Sequence, residues 1–126
     1  MRASRHLDTS AILGFVRENE AVGEVIREVA DAGLLVALPT ACMAEAYLSA
    51  VTVDLLQVLV ANPATVLLAD EPGEWVMLAQ ALGLVGDLAS ASAALLAVDA
   101  GCQVLTARPQ RYAGIGSGEL ALPFPA

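Results

Sequence analysis

Polar and apolar positions follow two rhythms along this chain. Short unbroken apolar runs at residues 34–38 (Leu-Leu-Val-Ala-Leu), 65–69 (Thr-Val-Leu-Leu-Ala) and 103–106 (Gln-Val-Leu-Thr) stand beside glycine, proline or threonine. Their length and flanks predict strands buried on both faces. Arg5-His6-Leu7 reads as a further strand, ending at Asp8, and Leu120-Ala121-Leu122 as an edge strand in a glycine- and proline-rich tail. Between these runs the spacing turns helical. Thr9 and Ser10 start a short helix over residues 10–16. Val22, Val25, Ile26 and Val29 form one face of a helix over residues 21–32, with Glu24, Arg27, Glu28 and Asp31 opposite and Gly33 as its stop. Further helices are expected over residues 40–50, 53–60 and from Asp70 to Leu82. A break over Gly83 to Gly86 precedes a long Ala- and Leu-rich helix from Asp87 to Gly101, and residues 108–112 form a turn or one-turn helix.

Strands alternating with helices imply a parallel sheet between helix layers, hence a three-layer α/β/α sandwich. With 126 residues and no repeat or linker, the chain forms a single domain, residues 1–126.

Composition narrows the options. Hydrophobic residues make up 57% and mean hydropathy is +0.67, yet the longest apolar segments are interrupted by Pro39, Thr40 and Glu45, or by Gln57, Asn62 and Pro63. A bilayer span needs roughly 20 consecutive apolar residues, so no membrane segment is expected. The N-terminal arginines have no long apolar run behind them, which speaks against a secretory signal. Net charge is −8 and every cation is an arginine. A general nucleic-acid binder carries a broad basic footprint, which is missing; action on nucleic acid then requires cations to neutralise carboxylates, or a basic partner. Cys42 and Cys102 lie far apart in apolar surroundings, unlike zinc ligands, which suits a reducing, cytoplasmic setting. The apolar surplus makes a homodimer plausible.

Three acids stand apart from the rest. Asp8 ends a strand, Glu45 is the only charged residue between Gly33 and Asp54, and Asp87 is the only one between Glu74 and Asp99. Taken singly, Asp8 and Asp87 read as helix caps and Glu45 as the one polar residue of a surface helix. Burying an isolated carboxylate is costly unless it is paired, hydrogen-bonded or metal-bound. Acids at a strand end, in mid-helix and at a helix start can converge on a hard cation such as Mg²⁺ or Mn²⁺. Such an ion can activate water against a phosphodiester.

The ordered motifs Leu7-Asp8-Thr9-Ser10-Ala11-Ile12-Leu13, Pro39-Thr40-Ala41-Cys42-Met43-Ala44-Glu45, Asp87-Leu88-Ala89-Ser90-Ala91 and Val104-Leu105-Thr106 with Arg108-Pro109-Gln110-Arg111-Tyr112 resemble the PIN-domain family, in particular its VapC-type toxins. Each motif is short, so the specificity lies in their order over nearly the whole chain. The resemblance implies an α/β/α sandwich and a Mg²⁺- or Mn²⁺-dependent ribonuclease acting on RNA. It also implies dimerisation and control by a small antitoxin of a type II toxin–antitoxin pair. Asp8, Glu45 and Asp87 match the first three acidic positions, as metal-binding and catalytic residues. Thr9, Ser10, Thr106, Arg108 and Arg111 are the candidate substrate contacts.

The fourth acidic position departs from the pattern, with Arg108 where the family usually has aspartate. That arginine can pair with Asp8 or Asp87, swing outward, or contact a substrate phosphate. The charge reversal sustains an alternative: a degenerate, non-catalytic PIN-like protein that binds a partner peptide or RNA. A small α/β domain unrelated to the family is a third option, although the chain has no glycine-rich phosphate loop.

Overall fold

The structure is a computed structural model and describes residues 2–50, 52–116 and 118–126, so that Met1, Val51 and, in the tail, Ser117 lie outside the described residues. Five parallel strands form one sheet in the order β3-β2-β1-β4-β5: β1 Ala3–Leu7, β2 Leu35–Pro39, β3 Thr65–Leu68, β4 Gln103–Thr106 and β5 Ala121–Pro123. The flanking helices are α1 Thr9–Val16, α2 Glu20–Asp31, α3 Thr40–Ser49, α4 Asp54–Ala61, α5 Trp75–Val85 and α6 Leu88–Ala100. This is the α/β/α arrangement that the alternation of strands and helices predicts.

The central strands carry the core. Leu7, Val36, Ala37, Leu38, Val104 and Leu105 are all buried, because helices cover both faces of the sheet. Each large side chain removed from water in this way contributes roughly 1.5–3 kcal/mol. Helix α6 packs on β1, β2 and β4 and on α3 and α5. Its run of Ala and Ser lets these elements approach closely, and Ala91, Ala93 and Ala97 have no exposed surface. Lone polar groups in this helix find partners: the Ser92 hydroxyl donates 2.6 Å to Asp70 Oδ2.

Two boundaries differ from expectation by more than two residues. The break foreseen over Gly83 to Gly86 shrinks to Gly86, since α5 continues through Gly83 to Val85. A glycine inside a helix costs only about 1 kcal/mol, and the packing of α5 on α6 outweighs it. Gly86, with φ of 93°, supplies the left-handed cap that ends the helix. The second difference is the start of α5. Glu71 is extended, as a residue before proline tends to be, and Pro72–Glu74 form a single 3₁₀ turn before the α-helix begins at Trp75.

Among the described residues, no single helix is long and apolar enough to cross a membrane. Several large apolar side chains are nevertheless exposed. Tyr47 and Leu48 on α3, Val60 on α4 and Leu67 on β3 line an open groove beside that edge of the sheet.

Candidate functional site

In this strand order, β1 connects outward to β2 on one side, while β4 lies against its other side. The carboxyl ends of β1 and β4 therefore diverge into a crevice, the usual ligand position in an open parallel sheet. A cavity of about 180 Å³ opens there. Asp8 and Glu45 line it with Thr9, Ser10, Ser49 and Ser90, and Arg108 and Arg111 close its rim.

Asp8 sits one residue beyond β1 and is only 4% exposed. It caps α1, since its Oδ1 accepts from the Ala11 amide at 3.1 Å and from the Ser10 hydroxyl at 2.6 Å. The cap explanation is thus true of Asp8, and the same carboxylate also faces the cavity. Its Oδ2 accepts a 2.7 Å hydrogen bond from the Tyr112 hydroxyl, itself fully buried. Burial, with the Asp8 charge beside it, pushes the Tyr112 phenol well above its ordinary pKa, so it remains a donor.

Ser10 and Thr106 brace this corner. The Ser10 hydroxyl accepts from the Ala107 amide at 2.9 Å while donating to Asp8, which joins the ends of β1 and β4. Thr106 is fully buried behind the cavity, where its Oγ1 accepts from the Arg108 amide at 2.9 Å. Of the two, only Ser10 reaches the cavity surface. Thr9 lines the cavity as well, and its hydroxyl oxygen is buried without a hydrogen-bond partner among the described residues.

Glu45 stands on α3, exposed, and its carboxylate makes no hydrogen bond or ion pair among the described residues. Asp87 differs. It caps α6 through a 2.8 Å hydrogen bond from the Ser90 amide to Oδ1, and its Oδ2 is paired with the Arg111 guanidinium. Asp87 is not part of the cavity lining, whereas Arg111 is. Pairing with an arginine thus occurs as the sequence allows, but the arginine is Arg111, three residues beyond the reversed position. Arg108 is exposed at the rim and makes no ion pair among the described residues.

The donor chemistry can be tested against a Mg²⁺ or Mn²⁺ ion. Such an ion keeps several waters and takes one or two carboxylates together with substrate phosphate oxygens. Asp8 Oδ1 is saturated by its two donors, but Oδ2 accepts only one and retains a lone pair. Both oxygens of Glu45 are uncommitted on the same cavity, so the free oxygen positions of the two acids are of the donor type a hard cation takes. Among the described residues no three His, Cys, Asp or Glu side chains are grouped closely enough to hold a metal together.

Sequence reasoning missed Tyr112 and Ser90 as members of this corner. A phenol three positions after a proline, in a chain with only two tyrosines, was the available signal. No model of a known protein family matches the chain, and no characterised protein in the curated set does.

Proposed function

We propose that the protein is a metal-dependent endoribonuclease of the PIN-like kind, the toxin of a type II toxin–antitoxin pair, hydrolysing RNA phosphodiester bonds. The observation that carries this reading is the meeting of Asp8 and Glu45 on one cavity at the carboxyl ends of β1 and β4, with Arg108 and Arg111 at its rim. A bound Mg²⁺ or Mn²⁺ would supply an activated water and stabilise charge on the phosphodiester. Asp8 and Glu45 would hold that ion, and Ser10, Ala11 and Tyr112 keep the Asp8 carboxylate oriented. Arg108 and Arg111 offer planar donor forks to phosphate oxygens, and the N-terminus of α1 adds its favourable dipole. With the chain at −8, Arg108 and Arg111 are the cationic side chains that this cavity offers to an RNA backbone.

The partners belong to the same reading. A small antitoxin and a second copy of the chain are the proposed protein partners. The exposed apolar side chains Tyr47, Leu48 and Leu67 support the second copy.

One observation favours the non-catalytic alternative. The Asp87–Arg111 pair already balances one of the three acids, as expected of a site that binds RNA or a peptide without cutting it. Incubating purified protein and the Asp8→Asn variant with RNA, with Mn²⁺ or with chelator, separates the two. Cleavage that needs both the metal and Asp8 supports the nuclease. RNA binding without cleavage supports the alternative.

A further inference from the structure

Arg111 stands between Asp87 and the cavity: it lines the cavity and touches the carboxylate, whereas Asp87 does not reach the lining. The two side chains are 34% and 28% exposed, so the pair is open to solvent and to an incoming ligand. Asp87 is held firmly at one oxygen only, since Oδ1 caps α6 while Oδ2 meets Arg111. The backbone under Arg111 is fixed, because the one-turn helix Pro109–Tyr112 is anchored by the buried Tyr112 on Asp8. The part that can change partner is therefore the arginine side chain. Among the described residues, one of its guanidinium nitrogens has a hydrogen-bond partner, which leaves the other donors of the fork uncommitted.

We propose that Arg111 is a displaceable internal counter-ion, exchanged from Asp87 to an RNA phosphate when substrate enters the cavity. This rests on the metal-dependent reading above. In the free protein the guanidinium supplies, at Asp87, positive charge that opposes entry of a cation. A phosphate engages the fork with two parallel hydrogen bonds, stronger than a single half-exposed contact to Asp87. Its departure leaves Asp87 Oδ2 without a cationic partner and restores negative charge beside the cavity. Cation and phosphate then bind cooperatively, and by linkage each raises the affinity of the other by the same factor. The site therefore holds metal more weakly until RNA arrives.

Calorimetric titration of Mn²⁺ tests this without any reading of activity. The probe is a short 2′-O-methyl oligoribonucleotide, with its own Mn²⁺ uptake subtracted. Wild-type protein is expected to bind Mn²⁺ at least about tenfold more tightly with the probe present than without it, which corresponds to about 1.4 kcal/mol. Arg111→Gln without the probe should bind Mn²⁺ at least about tenfold more tightly than the wild type. Arg111→Lys, which keeps the charge, should remain near the wild-type affinity. Equal affinities with and without the probe overturn the exchange and leave the nuclease reading standing. An Arg111→Gln protein that melts like the wild type but binds Mn²⁺ no better also overturns it. Absence of Mn²⁺ binding under every condition removes both.

Discussion

The Tyr112 hydroxyl donates a 2.7 Å hydrogen bond to Asp8 Oδ2 across 104 positions of sequence. It ties the turn after the fourth strand to the carboxylate after the first, and so fixes the geometry of the cavity they share. Asp8 is buried, and this phenol is the only donor to that oxygen among the described residues. Tyr112→Phe keeps the ring and removes the donor, leaving a buried carboxylate oxygen unsatisfied. Stability should fall by about 1–3 kcal/mol, read as a lower denaturant midpoint with an unchanged slope.

His6 gives the protein an acid-sensitive core. It is fully buried in β1, its Nδ1 lies 3.3 Å from Cys102 Sγ, and Nε2 has no hydrogen-bond partner among the described residues. Burial lowers its pKa from 6.5 to about 4. The unfolded chain therefore binds a proton that the folded chain refuses, so the contribution of neutral His6 is complete above about pH 6.5 and declines as pH falls towards about 4. The loss is at most about 1.4 kcal/mol per pH unit. Urea unfolding at several pH values should show this slope, and His6→Asn should flatten it.

Ser92 is the donor to Asp70 Oδ2, while Asp70 Oδ1 is buried without a hydrogen-bond partner among the described residues. Removing the hydroxyl leaves both oxygens of this carboxylate undersatisfied. Ser92→Ala should destabilise the fold by about 1–3 kcal/mol, although alanine is the better helix former. Thermal denaturation of the two proteins checks it.

Leu48 is 85% exposed at the end of α3 and belongs to the apolar groove beside β3. On the proposed pairing of two copies this side chain becomes covered, and a charge there would be buried without a partner. Light scattering should give a dimer mass for the wild type and a monomer mass for Leu48→Arg, with unchanged circular dichroism. A monomeric wild type removes the second copy from the account.

Most of the architecture was legible in the sequence because its strands are short apolar runs with clear punctuation. Gln103–Thr106 is bounded as the pattern indicates, and Asp87 and Gly101 flank α6 as foreseen. Gly83 misled because composition alone gives no measure of how much helix–helix packing can offset one glycine. The site was legible in part. Asp8 and Glu45 stood out as isolated acids and share the cavity, while Asp87, isolated in the same way, is paired with Arg111. Isolation in sequence shows that a charge needs a partner, not whether that partner is a cation or an arginine. Nor could spacing show that the arginine holding Asp87 would be Arg111 rather than Arg108, since that depends on how the 3₁₀ turn directs each side chain.

On the proposed function, Asp8 and Glu45 work together through a divalent cation. Its most direct measurement is the rate of RNA cleavage by wild type, Asp8→Asn and Glu45→Gln, each with Mn²⁺ and with chelator. The wild type should cleave only with metal, and each variant should lose more than about 100-fold, since neutral amides are weaker partners than carboxylates for a hard cation. Full cleavage by Asp8→Asn, or wild-type cleavage undiminished by chelator, would contradict that function.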